Sequence, residues 1–203
     1  MSETAGERRL WALIEERALP GADRRAIDER IWELFGEERT VMFTDLSGFS
    51  RRVAEFGIIH FLQVIHEQKR LLLPIVDQHD GLLLKLEADS MLVVFRRPKA
   101  ALDCAIAMQH ACRDANVGRA PEDQILLCVG LGHGRMLAVG DHEVWGAEVN
   151  AASKLGEDSA KSGEILATGG LRDAVKHVAG VTFTELELRV PGADRCYRAA
   201  YPA

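Results

Sequence analysis

Apolar side chains recur at helical spacing in the first part of the chain. "ERRLWALIEERA" (7–18) carries Leu10, Trp11, Leu13 and Ile14, and "DRRAIDERIWELFGEE" (23–38) carries Ile27, Ile31, Trp32 and Leu34 on one side. The "LPGAD" stretch between them breaks the pattern, so two short amphipathic helices are expected ahead of the first strand, "TVMF" (40–43). "GIIHFLQVIHEQKRLLLPIVDQHDG" (57–81) then places Ile58, Phe61, Leu62, Ile65, Leu72 and Ile75 at three- and four-residue steps. This predicts a long helix, kinked or restarted at Pro74 and ended by "HDG". "LLLKLEADSMLVVF" (82–95) reads as two strands around a tight turn near Glu87–Asp89, and "PKAALDCAIAMQHACRDA" (98–115) as a helix with Pro98 in its first turn.

Further on, "QILLCVGLGHGRMLAVG" (124–140) reads as a strand pair broken at Gly132 and Gly134. A helix is expected through "AEVNAASKLGEDSA" (147–160), a short strand and helix in "GEILATGGLRDAV" (163–175), and a final long strand in "VTFTELELRV" (181–190). Strands interleaved with helices in this order predict an α+β fold, a ferredoxin-like mixed sheet with covering helices and a short N-terminal helical arm. The expected division is an arm over residues 1–37 and a single domain over 38–203.

Composition narrows the function classes. A chain of 203 residues with 47% hydrophobic and 28% charged residues is long enough to bury a core without staples. A net charge of −6 speaks against a nucleic-acid surface, while leaving room for a local basic pocket that takes a phosphate. No window approaches the roughly 20 apolar residues of a membrane span, and "MSETAGERRLW" has no apolar signal core. The four cysteines (Cys104, Cys112, Cys128, Cys196) contain no CxxC pair and read as reduced, mostly buried thiols. A cytoplasmic protein without membrane insertion is expected.

Two acidic residues follow apolar runs: Asp45 in "VMFTDLSGFS" (41–50) and Asp89 in "LLLKLEADS". Carboxylates at the same edge of one sheet are what a divalent-cation phosphoryl-transfer site needs, and the glycine turn after Asp45 could offer N–H groups to phosphates. Taken singly, each has a plainer explanation: Asp45 as the cap of a helix starting near Ser50, and Asp89 as a hairpin-turn residue.

Three blocks in order change the weight of the pair. "FTDLSGFS", "KLEADSMLVVF" and "WGAEVNAASK" resemble the F-x-D-I/V-x-G-F-S/T, K-x-x-G-D-x-x-x-x-x-F and W/F-G-x-x-V-N-x-A-S/A-R blocks of class III nucleotidyl cyclase catalytic domains, over roughly residues 38–200. The resemblance implies that Asp45, Asp89 and the Leu46 carbonyl hold two Mg²⁺ or Mn²⁺ ions per site. It implies that the turn of Leu46, Ser47, Gly48, Phe49 and Ser50 cradles the nucleotide phosphates, and that Lys85 and Glu143 read the base. Asn150 would orient the ribose, and Lys154 would neutralise phosphate charge. It further implies an adenylate cyclase making cyclic AMP and pyrophosphate from ATP, with each site shared between two copies arranged head to tail. A donor (Lys85) beside an acceptor (Glu143) matches adenine N1 and N6, whereas guanine presents the reverse.

Several positions depart from that pattern. Lys154 stands for an arginine, Glu143 for a shorter aspartate, and Ala88 for a glycine. Cys128 stands where some relatives have a pyrophosphate-binding arginine. Pro191 replaces a lysine and leaves Arg195 as the nearest cation. The departures point to slow turnover, relaxed nucleotide choice, or a catalytically inactive nucleotide-binding module. His60, His66, His110 and His133 read as solvated or packing residues, "FRRPK" (95–99) as a solvated basic edge, and "GLGHG" (130–134) as a strand turn.

Overall fold

Why the chain folds around one sheet is seen in its two longest strands. In the computed structural model, which describes residues 4–202 apart from the side chains of Phe49 and Ser50, β1 (Gly36–Leu46) and β4 (Leu127–Val139) pair antiparallel from Gly36↔Leu137 to Leu46↔Leu127. β3 (Ser90–Phe95) joins the other side of β1 and pairs with β2 (Leu82–Glu87). On the far side of β4 lie β6 (Ile165–Thr168), parallel to it, then β8 (Cys196–Ala200) and β7 (Thr182–Leu186). The order is β2-β3-β1-β4-β6-β8-β7, with β5 (Glu143–Trp145) folded back onto the end of β4.

The pleat sends alternate side chains to opposite faces. Met42, Leu46, Val93, Phe95, Val129 and Leu131 belong to the main core beneath α4 (Ile58–Gln78) and α5 (Pro98–Ala115). Val41, Leu92, Val94 and Met136 face the other way and meet Val149 and Ala152 of α6 (Ala147–Ser153), with Phe43 and Leu84 only partly covered. The helical arm, α1 (Ala5–Ala18) and α2 (Arg24–Phe35), buries Leu10, Leu13, Ile27, Ile31 and Phe35 around Val139 near the end of β4. α1 opens with a Thr4–Glu7 capping box.

Several expectations shift in phase or extent. In α2 the buried stripe is Ile27, Ile31 and Phe35, while Leu34 is exposed and so are Trp11 and Ile14 of α1. α2 ends at Phe35, and "GEERT" belongs to β1 because β4 is long enough to pair with it. In α4, Phe61, Ile65 and Leu72 are buried, but Ile58 and Leu62 lie on the solvent side. The helix runs unbroken through Pro74. The segment 124–140 is not a strand pair broken at Gly132 and Gly134, nor is "GLGHG" a turn. β4 passes straight through, and the actual turn spans 140–142, beginning at Gly140. Those glycines serve close packing: a Cβ on Gly132 would lie 2.5 Å from the Glu148 carbonyl oxygen. The helix expected over 147–160 turns into a π-helical segment at Lys154–Ser159. The long strand expected over 181–190 is β7, cut short at Leu186, and the final strand is β8, where "CYRAA" pairs with β6 on one side and β7 on the other.

Candidate functional site

The end of β1 and the β2–β3 turn converge. Pairing of Thr44 with Met91 puts Asp45 beside Ser90, whose hydroxyl donates to Asp45 Oδ1 at 3.1 Å. Asp89 precedes Ser90 and is 7% exposed. Burial, then the neighbouring Asp89 charge, push the Asp45 carboxyl up to about 6. Burial also raises Asp89, against the pull of main-chain N–H groups of Asp89 and Leu46 and of the Asp45 carboxyl. The two acids therefore meet, and the alternative of Asp45 as a helix cap falls: α3 (Phe49–Phe56) has Gly48 at its N-cap and no side-chain cap. Asp89 does occupy the hairpin turn, following Ala88, which holds a left-handed φ of 50°.

This donor set suits a hard divalent cation. Asp89 Oδ2 is buried with no hydrogen-bond partner, an arrangement that costs free energy unless something positive sits there. Oxygen ligands from two carboxylates and a carbonyl are what Mg²⁺ or Mn²⁺ prefers.

The following turn is built for close approach. Ser47 N–H donates to the Leu126 carbonyl at 2.8 Å, and Gly48 has a φ of 80°, a region that disfavours any side chain. The side chains of Phe49 and Ser50 lie outside the described part of the structure; their backbone opens α3. Cys128 sits opposite Asp45 in the sheet, its thiol pushed to about 12 by burial, so it stays neutral.

A second group forms at the β2 and β5 strands. Lys85 Nζ and Glu143 lie 3.0 Å apart as an ion pair, a donor and an acceptor side by side. Asn150 is exposed on α6, and Lys154, at the start of the π-helical segment, pairs with Asp158 at 2.7 Å. Among the described residues no hydrogen bond or ion pair joins Asp45 or Asp89 to Lys85, Glu143, Asn150 or Lys154. Arg195 is engaged elsewhere, 3.4 Å from Asp173 and stacked over Tyr197. "FRRPK" is a solvated edge, with Arg97 on Asp80 and Lys99 on Asp103.

Sequence reasoning missed Glu148. Its carboxylate accepts from Thr168 Oγ1 at 2.6 Å and the His133 N–H at 3.1 Å, tying α6 to β4 and β6. His133 itself packs between Thr40 and Glu38. Glu148 lies two residues before Asn150, so it fixes the helix that presents Asn150. The only signal in the sequence was a charged residue between Gly146 and Val149 on an otherwise small, apolar helix face. Glu148→Ala would leave the buried Thr168 hydroxyl proton and the His133 N–H without this acceptor, and should lower the urea unfolding free energy by about 2–3 kcal/mol. Burial raises the Glu148 pKa. The unfolded chain then releases this proton at lower pH than the folded one, so stability falls as pH rises from the ordinary carboxylate range through the raised value. Glu148→Gln should remove that slope from unfolding curves measured across pH.

The chain matches the Adenylate and Guanylate cyclase catalytic domain over residues 36–197. It is 34% identical over 149 residues to Serine/threonine-protein kinase pkn2 of Myxococcus xanthus, covering 72% of this chain and 15% of that protein. It is 28% identical over 145 residues to Putative adenylate cyclase 3 of Rhizobium meliloti, covering 71% and 24%. The chain thus spans about a quarter or less of the length of these two relatives. The solved Adenylate/Guanylate Cyclase/Hydrolase from Silicibacter pomeroyi shares the fold at a TM-score of 0.70 and 24% identity, over 81% of this chain and 95% of that one. With that match running from β1 to the start of β8, the chain belongs to the class III adenylate and guanylate cyclase catalytic domain family.

Proposed function

We propose that the domain converts ATP to cyclic AMP and pyrophosphate at a site shared between two copies of the chain arranged head to tail. The observation that carries this reading is the meeting of Asp45 and Asp89 with one buried carboxylate oxygen lacking any donor. Two Mg²⁺ or Mn²⁺ ions, held by Asp45, Asp89 and the Leu46 carbonyl, would supply charge stabilisation and a more acidic ribose 3′-hydroxyl.

The chain's own residues do the positioning. Lys85 donates to adenine N1 and Glu143 accepts from the N6 amine; their 3.0 Å pairing supports a donor–acceptor edge of that polarity. Main-chain N–H groups of the turn beyond Ser47, whose own N–H is taken by the Leu126 carbonyl, face the β- and γ-phosphates. Asn150 and Lys154, from the same copy as Lys85 and Glu143 and opposite the copy that supplies Asp45 and Asp89, hold the ribose and the phosphate charge. The new bond joins the 3′-oxygen to the α-phosphorus as the bond to the β-phosphate oxygen breaks; pyrophosphate leaves and the hydroxyl proton passes to solvent. Because the nucleophile is already part of the nucleotide, orientation supplies much of the rate. The partly covered sheet face around Phe43 and Leu84 supports pairing with a second copy. The reading also places the domain in the cytoplasm, where its four free, buried thiols stay reduced. Among the described residues no helix is long and apolar enough to cross a membrane.

The test is purified protein with Mn²⁺ and each of the four nucleoside triphosphates, with product identification. Cyclic AMP from ATP is expected; cyclic product from another triphosphate would reassign the base, and none from any would end the cyclase reading. One observation favours a second reading, a nucleotide-binding module with little or no turnover: Lys154 is held by Asp158 rather than standing ready for phosphate. Tight ATP binding by calorimetry without product would identify that case. If the lysine limits an active enzyme, Lys154→Arg should raise kcat about three- to tenfold, since a guanidinium grips two phosphate oxygens at once.

A further inference from the structure

The geometry points to Arg51 as a further polyphosphate-binding residue of this site, its guanidinium supplying charge to the β- and γ-phosphates across the Gly48 turn. The proposal rests on the phosphoryl-transfer reading of the Asp45–Asp89 edge. Arg51 lies in the first turn of α3, three residues past Gly48, and its side chain folds back over the turn. The position a Gly48 Cβ would take is 3.7 Å from Arg51 Nη2. Gly48, with its φ of 80°, thus leaves an open backbone face with a guanidinium at its rim. Asp89, 7% exposed and with Oδ2 unpartnered, independently marks the same edge as one that awaits a ligand.

The other nearby cations are already committed. Arg52, the next residue, is 5% exposed and donates to the carbonyls of Pro121, Glu122 and Gln124, clamping α3 to the 121–124 loop. Lys85 is paired with Glu143, Lys154 with Asp158, and Arg195 with Asp173. Cys128 beside Asp45 carries no charge, and Pro191 has none to give. Among the described residues Arg51 is exposed and makes no hydrogen bond or ion pair. It is therefore a cation at the phosphate turn that can engage without first breaking an internal contact. A guanidinium there would offset the negative Asp45–Asp89 edge for an incoming polyphosphate. It would also stabilise charge as it builds on the departing pyrophosphate. The residue also offers a physical reason why positions 128 and 191 can do without a cation.

Calorimetric titration of tripolyphosphate with Mg²⁺ present tests this without any turnover. Arg51→Ala is expected to weaken binding about tenfold, Arg51→Lys to lose less, and Arg195→Ala to bind like the wild type. The Arg51 side chain is exposed, so its variants should melt with the wild type, which the same samples verify. Equal affinity of Arg51→Ala and wild type, equal losses in Arg51→Ala and Arg195→Ala, or no tripolyphosphate binding by the wild type would each overturn the assignment. Arg51-dependent binding in a protein that forms no cyclic nucleotide would uphold Arg51 while ending the cyclase reading. Cyclic product with Arg51-independent binding would do the reverse.

Discussion

Replacing Asp45 by asparagine is expected to abolish cyclic-nucleotide formation while making the metal-free fold more stable. Asp45 is half-buried, and both its desolvation and the Asp89 charge beside it penalise its ionised form, which is why its pKa rises to about 6. Asparagine is nearly the same size, keeps an acceptor for the Ser90 hydroxyl, and removes one of two like charges. At neutral pH and without divalent ions, the unfolding free energy should rise by about 1 kcal/mol once solvent screening at this half-exposed position is discounted. Millimolar Mn²⁺ should reverse the ranking, because only the wild type gains stability by binding it. Paired urea unfolding curves with and without Mn²⁺ check both signs. If asparagine destabilises the metal-free protein, or if Mn²⁺ stabilises both equally, the carboxylate pair is not held in the manner described. A functional pair that costs the fold stability is the usual compromise at active sites.

The second large effect is expected far from any charge. Gly130 of β4 and Gly156 of the π-helical segment pack backbone to backbone. A Cβ on Gly130 would fall on the Ala152 carbonyl oxygen and the Gly156 nitrogen, and one on Gly156 would lie 2.8 Å from the Phe43 carbonyl oxygen. Main-chain atoms cannot swing aside as a long side chain can. Gly130→Ala should therefore cost about 3 kcal/mol or more. Whatever folds must carry a displaced α6, and with it Asn150 and Lys154. A displacement near 1 Å at positioning residues costs on the order of a hundredfold in rate, so activity should fall well before the fold melts. Gly118→Ala is a suitable control: its φ of 76° disfavours a side chain, but nothing lies within 4 Å of the added methyl. Its cost should stay near 1 kcal/mol with activity kept. A Gly130→Ala protein as stable and active as Gly118→Ala would show that the close helix–strand contact does not matter.

These glycines also show why parts of the molecule were hard to read from the chain. The Asp45 and Asp89 blocks, the β2–β3 hairpin and the Pro98 start of α5 are written in local residue types, and the structure places them as expected. Gly132 and Gly134 gave the local signal of a break, yet β4 is continuous, because they answer to Glu148 on a helix that comes later in the chain. β8 has no β-branched run and exists through its neighbours β6 and β7. The π-helical segment packs Gly156 against β1 and β4, a contact that no periodicity announces. At the site, the family resemblance implied a base-reading role for both Lys85 and Glu143, and the two side chains lie 3.0 Å apart. The Lys154–Asp158 pair is a four-residue helical spacing that local sequence offers, but local sequence could not reveal that Arg195 is stacked on Tyr197 or that Arg51 leans over Gly48. Those are choices among competing partners, settled only by the packed chain.

The proposed cyclase site is assembled from two copies, with the carboxylates from one and Asn150 from the other. Mixing purified Asp45→Ala and Asn150→Ala proteins tests it most directly, with cyclic AMP from ATP and Mn²⁺ as the readout. Each variant alone should be silent. After subunit exchange the equimolar mixture should recover about a quarter of the wild-type rate, because half the dimers are mixed and each mixed dimer keeps one complete site of two. A mixture as silent as its components, beside a wild type that turns over, would contradict the shared site.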